Sequence, residues 1–114
     1  MSTPTQTDYP AAVARIRSRL TPETVAQIAA VYAFHFEDGT SATLDARVAG
    51  GGAFLDGAPS AHGLTPDFEV TLTRADFAQL VFGTLHPMAG MATGRMRLQG
   101  SIKQAIRLDR LLKA

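Results

Sequence analysis

The chain contains no cysteine and no tryptophan among its 114 residues. Without cysteine there is no disulfide, no thiolate nucleophile and no thiolate metal site, and a reducing compartment is compatible. An excess of one charge is also missing. Eleven Lys and Arg stand against ten Asp and Glu, for a formal net charge of +1. That balance gives none of the electrostatic footprint of a nucleic-acid binder, so no nucleic-acid partner is expected. No apolar run approaches the ~20 residues of a membrane-spanning helix. Met1 to Thr7 lack the basic-then-apolar pattern of a secretory signal, and Leu112-Lys113-Ala114 is not a Ser-Lys-Leu address. A cytoplasmic location is the expectation. With no repeat and no long linker, we expect a flexible tail over 1–7 and a single domain over 8–114.

The usual catalytic constellations are absent as well. His35, His62 and His86 have neither the i, i+4 spacing nor the companion carboxylates of a metal site. Ser60 and Ser101 lack the Gly-x-Ser-x-Gly setting of a nucleophile, and no Lys-Ser or Lys-Thr follows Gly50-Gly51-Gly52 as a phosphate loop would require. The residues therefore point away from an enzyme and imply no cofactor and no metal.

What is present is a patterned set of short elements. Asp8 is placed to cap a helix over Tyr9 to Leu20, with Val13, Ile16 and Leu20 on one face. Thr21-Pro22-Glu23 opens a second helix, with Thr as cap and Pro in the first turn. From Val31 the pattern changes to alternation: Tyr32, Phe34 and Phe36 share one face, His35 and Glu37 the other. Asp38-Gly39 predicts a hairpin into a strand with Ala42, Leu44, Ala46 and Val48 on one side, Thr43, Asp45 and Arg47 on the other. Beyond Gly50-Gly51-Gly52, a flexible loop, the stretch to Gly63 is the least legible, with an edge strand near Phe54-Leu55.

Phe68 to Leu72 alternates again, and Thr73-Arg74-Ala75-Asp76 reads as a capping box for a helix to about Phe82, ended by Gly83. His86-Pro87 opens a short helix through Met91. Arg95 to Gln99 is the last strand, with Met96 and Leu98 inward. Ser101-Ile102-Lys103-Gln104 caps the final helix. Each strand has one apolar and one polar face, which predicts an α+β domain: one sheet covered by helices on one side and by water on the other.

The apolar strand positions Phe34, Phe36, Leu44, Phe68, Val70, Leu72, Met96 and Leu98 form a floor. Helical Phe77, Leu80, Val81, Phe82, Leu85, Met88, Met91, Ile102 and Ile106 form a roof. Floor and roof either meet as a filled core or leave a hollow. Gly83, Gly90 and Gly94 interrupt the roof, methionines are adaptable, and no Trp fills a gap, which together favour a hollow. The lower end of the usual ligand-pocket range is about 300 Å³. Among the polar residues, Arg15, Arg17 and Arg19 read as a solvated helix face, or as a site of attraction to anionic membrane. Arg95 and Arg97 fall on the outer sheet face near Glu69 or Asp45. Asp109 is either an exposed helix end or a polar handle at the mouth of the hollow.

In this order the elements resemble the sterol carrier protein 2 family, or sterol-binding domain. The resemblance rests on four places: Phe34-His35-Phe36-Glu37-Asp38-Gly39 with its partner strand; Asp67 leading Val70-Thr71-Leu72 into the helix entered at Thr73; Gly83-Thr84-Leu85-His86-Pro87-Met88; and Gly94-Arg95-Met96-Arg97-Leu98-Gln99-Gly100 with the helix behind it. It spans about Tyr9 to Leu112 and is closest to a stand-alone bacterial-type member. It implies a five-stranded, mostly antiparallel sheet with helices on one face and an apolar tunnel between the layers. It further implies binding, without catalysis, of fatty acids, fatty acyl-CoA, sterol-like or isoprenoid lipids. The tunnel would be lined by Phe34, Phe36, Leu44, Phe68, Leu72, Phe77, Val81, Phe82, Leu85, Met88, Met91, Met96, Leu98, Ile102 and Ile106. Lipid is the expected partner, with transient membrane contact. The alternative is an accessory protein that keeps a lipid-like intermediate, such as a quinone precursor, for partner enzymes.

Overall fold

A computed structural model describes residues 5–48 and 51–113. Of the expected tail and glycine loop, Met1 to Pro4 and Gly50 lie outside the described residues. Gln6–Asp8 form a 3-10 turn that packs beside the helix α3 defined below.

The helices α1 (Tyr9–Arg19) and α2 (Pro22–Ile28) lead into β1 (Ala30–His35), β2 (Ser41–Ala46) and the short β3 (Ala53–Asp56). After a crossover come β4 (Phe68–Thr71), α3 (Arg74–Phe82), α4 (Pro87–Ala92), β5 (Arg97–Gln99) and α5 (Ile102–Lys113). The sheet order is β3-β2-β1-β4-β5. Neighbours are antiparallel except β1 and β4, which run parallel. This is the expected five-stranded, mostly antiparallel α+β architecture.

Local chemistry explains the element ends. The Thr21 and Thr73 hydroxyls accept from the backbone N–H of Thr24 and Asp76, at 3.2 and 3.0 Å, and supply two orphan donors with partners. Asp8 acts differently from expectation. Its carboxylate turns back to accept from the Thr5 N–H at 2.8 Å, so it closes the preceding turn instead of capping α1. At the hairpin, Phe36 donates to the Thr40 carbonyl, with Gly39 at φ +83°. Val48 falls beyond the end of β2 and is exposed.

The core is aromatic. Phe77 on α3 lies within 5.2–5.9 Å, centroid to centroid, of Tyr9, Phe34, Phe36 and Phe54. These rings join α1 and α3 to the inner face of β1–β3. Arg74 clamps this side: its guanidinium lies over the rings of Tyr9 and Phe36 and also meets Asp38 and Thr40 in the hairpin. The three arginines of α1 are not simply solvated. Arg15 stacks over Phe82 at 5.5 Å, Arg17 donates to the Phe54 carbonyl, and Arg19 is half-buried.

The outer sheet face departs from the expectation of water. Val31, Ala33, Thr43 and Asp45 are buried there. The crossover from β3 to β4 must pass β2 and β1, because β4 lies beyond β1 in the sheet. It does so on the outer face. The Thr43 hydroxyl donates to the Gly57 carbonyl, Pro59 is buried, and Asp67 exchanges bonds with Val31 through its N–H and its carboxylate.

Candidate functional site

The other half of the sheet is covered differently. Over β4 and β5 lie the six-residue α4 and the first half of α5. α5 is anchored by its second half, where Leu108, Leu111 and Leu112 are buried, and at its middle, where Arg107 donates to the Ile28 carbonyl. A further tie comes from Tyr32, whose hydroxyl donates to the Gln104 carbonyl at 3.0 Å; burial pushes this phenol well above its usual range. The first half of α5 stands away from α4, and a cavity of about 190 Å³ lies between them.

Phe68 and Leu98 form the floor of the cavity. His86, Pro87, Met88 and Met91 form one wall, and Ser101, Ile102, Ala105, Ile106 and Asp109 the other. Gly100 completes the floor. A Cβ at that position would come within 2.4 Å of the Phe68 ring, so only glycine lets this ring lie across the strand end. The volume is below the lower end, about 300 Å³, of the usual ligand-pocket range. The surroundings are nonetheless open. Met88, Met91, Ile102 and Ile106 are 51, 42, 74 and 50% exposed, and all four line the cavity.

Of the sequence-predicted site residues, Phe68, Met88, Met91, Leu98, Ile102 and Ile106 meet around this cavity. Phe36, Leu72 and Met96 line a neighbouring hollow on the far side of α4. Phe34, Leu44, Phe77, Val81 and Leu85 line neither: they are buried in the filled core, where side chains of α1 and α3 occupy the space expected of a tunnel. Phe82 is half-buried on α3, beneath Arg15.

His86, Pro87, Gly100, Ser101 and Ala105 also line the cavity, although the sequence did not mark them as site residues. The signal for His86 was local. It precedes Pro87 at the start of α4, and its Nδ1 accepts from the Met88 N–H at 3.1 Å. The ring proton of the neutral form therefore resides on Nε2. Asp109 lies in the wall. Arg95 does not point to the outer face. Its guanidinium pairs with Asp76 and with Gln79, both on α3. Glu69 instead meets His35 at 3.0 Å, and Asp45 pairs with Arg47 at 2.8 Å. Among the described residues no cluster of His, Cys, Asp or Glu is arranged to ligate a metal.

Comparison with known proteins bears on this arrangement. Sterol carrier protein 2 from Yarrowia lipolytica, in its apo form, superposes with a TM-score of 0.72 at 23% identity, covering 89% of this chain and 86% of that one. Sterol carrier protein 2 from Aedes aegypti, solved in complex with palmitate, gives 0.71 at 18% identity, over 98% of this chain and 96% of the other. Hydroxysteroid dehydrogenase-like protein 2 of Rattus norvegicus is 30% identical over 99 residues, which are 85% of this chain but 18% of the rat protein. The chain thus spans about a fifth of that relative. Residues 12–113 match the profile of the SCP-2 sterol transfer family, and the chain belongs to that family.

Proposed function

We propose that this protein binds lipids, without catalysing a reaction, by taking a hydrocarbon chain between α4 and α5. The observation that carries this reading is the convergence of exposed Met88, Met91, Ile102 and Ile106 on one cavity. Exposed apolar residues are ordinarily scattered singly, and a contiguous group marks a binding surface. Covering them removes apolar area from water at about 25 cal/mol per Å², with little directional demand. Fatty acids, fatty acyl-CoA, sterol-like and isoprenoid molecules are the ligand classes we assign. The palmitate complex of the Aedes aegypti neighbour supports the first of these. Carriage of the lipid, transient membrane contact during loading and a cytoplasmic location belong to the same proposal. Purified protein extracted with organic solvent should release lipid, and a fluorescent fatty acid should bind it saturably. Absence of lipid in the extract together with no binding of any probe contradicts the reading.

One observation favours a second reading, in which the protein keeps a lipid-like intermediate for partner enzymes. The mammalian relatives carry the matching region within a much longer chain named as dehydrogenase-like. Co-purification with biosynthetic enzymes, rather than with free lipid alone, distinguishes it.

A further inference from the structure

The neighbouring hollow, lined by Leu72, Met91, Met96 and Leu98, is broadly open to solvent and spans about 730 Å³. It and the smaller cavity share two residues, Met91 and Leu98. Strand register explains why. Val70 pairs with Leu98; the row of Phe68 and Gly100 lies toward one end of that pair, and Leu72 and Met96, both just beyond the paired strands, lie toward the other. The first row floors the smaller cavity and the last row lines the larger hollow. Phe68 and Leu72 are four residues apart, about 14 Å along an extended strand. The two spaces are therefore neighbours along one track on the inner face of β4 and β5, with α4 above its middle.

Leu98 rises from the floor at the midpoint and Met91 hangs from α4. We infer that these two side chains partition a single channel, and that the partition sets the length of hydrocarbon chain the protein accepts. This inference rests on the lipid-binding reading. Met96 belongs to the fixed wall. It is buried against α4, and a Cβ on Gly90 would come within 2.6 Å of its methyl group. Met91 is 42% exposed, and its unbranched thioether has the freedom to move aside or to be shortened without disturbing the core. The two spaces also differ in polarity. The smaller is lined mainly by apolar residues, whereas Glu37, Thr71, Thr73, Arg95 and Arg97 also line the larger, whose polar and solvated rim suits the outer end of a longer amphiphile.

The test is a series of straight-chain fatty acids of increasing length, titrated by displacement of a fluorescent fatty acid. Each added methylene that is buried raises affinity about fourfold, and the rise stops where the partition stops the chain. Met91→Ala moves that break to longer chains, by about as many carbons as the side chain loses heavy atoms, and Met91→Phe moves it to shorter ones. Leu98→Val, the second variant, moves it in the same direction as Met91→Ala, with thermal melts confirming that each variant is folded. An unchanged break in folded variants overturns the partition and leaves lipid binding intact. Failure of every chain length to bind the parent protein overturns both.

Discussion

Over β1–β3 the inner sheet face is filled by the protein itself; over β4 and β5 it is not. The first region receives α1 and α3, two helices of 11 and 9 residues, and five aromatic rings interlock beneath them. The second receives α4, six residues long, and an α5 whose buried leucines all lie in its second half. The residue types are similar on both sides. The difference is in the cover. A long helix with a second helix beside it brings enough side-chain volume to close the gap, and a short helix with a glycine at its centre does not. On the lipid-binding reading proposed above, stability and binding belong to separate parts of one small sheet.

The widest separation is expected for Phe77→Ala. It removes the ring around which the filled half is built and should destabilise by about 3–5 kcal/mol, measured by denaturant unfolding. A loss below about 1 kcal/mol would mean that the aromatic half is not the stabilising one. The converse change is Met91→Asp. It sets a charge in the cavity wall, so fatty-acid affinity should fall at least about tenfold while stability changes by about 0.5 kcal/mol or less. Equal damage to both would erase the distinction. Tyr32→Phe cuts the bond from the sheet to α5 and should cost about 1 kcal/mol. If the tie matters for the hollow, hydrogen exchange in the first half of α5 should quicken as well.

The smallest effect concerns acid. Asp38 accepts from the Thr40 hydroxyl, the Thr40 N–H and Arg74, which lower its pKa from 3.8 to about 2. A depressed carboxylate contributes stability that is present above the unfolded value and lost as pH falls through the folded one. The parent protein should therefore lose more stability than Asp38→Asn between about pH 4 and pH 2. Identical acid limbs in the two proteins would exclude a role for this hairpin clamp.

Much of this was legible because it is local. The Thr21 and Thr73 caps, the Asp38-Gly39 turn and the inward placement of Leu98 depend on neighbours a few residues away. The location of the hollow was not legible, because Phe77 and Val81 read like Met88 and Met91 until it is known which helix covers which strand. Arg95 was misplaced by extending strand parity too far. β5 begins at Arg97, and the N–H groups of Arg95 and Met96 are both drawn to the Gly90 carbonyl, so Arg95 sits in a turn facing α3. The covered outer face was missed for a similar reason. Thr43 and Asp45 have the polarity of a wet surface, and the crossover above them, 57–67, has no periodicity that would announce it.

The central claim is that ligand enters the half of the sheet under α4 and α5 and leaves the aromatic half undisturbed. Methyl-labelled methionine and valine report on both at once, since Met88 and Met91 line the cavity while Val81 is buried in the filled core. Titration with palmitate, followed by NMR, should shift the Met88 and Met91 methyl signals and leave that of Val81 in place. Shifts centred on Val81, or no shift at any of the three at saturating ligand, would contradict the account.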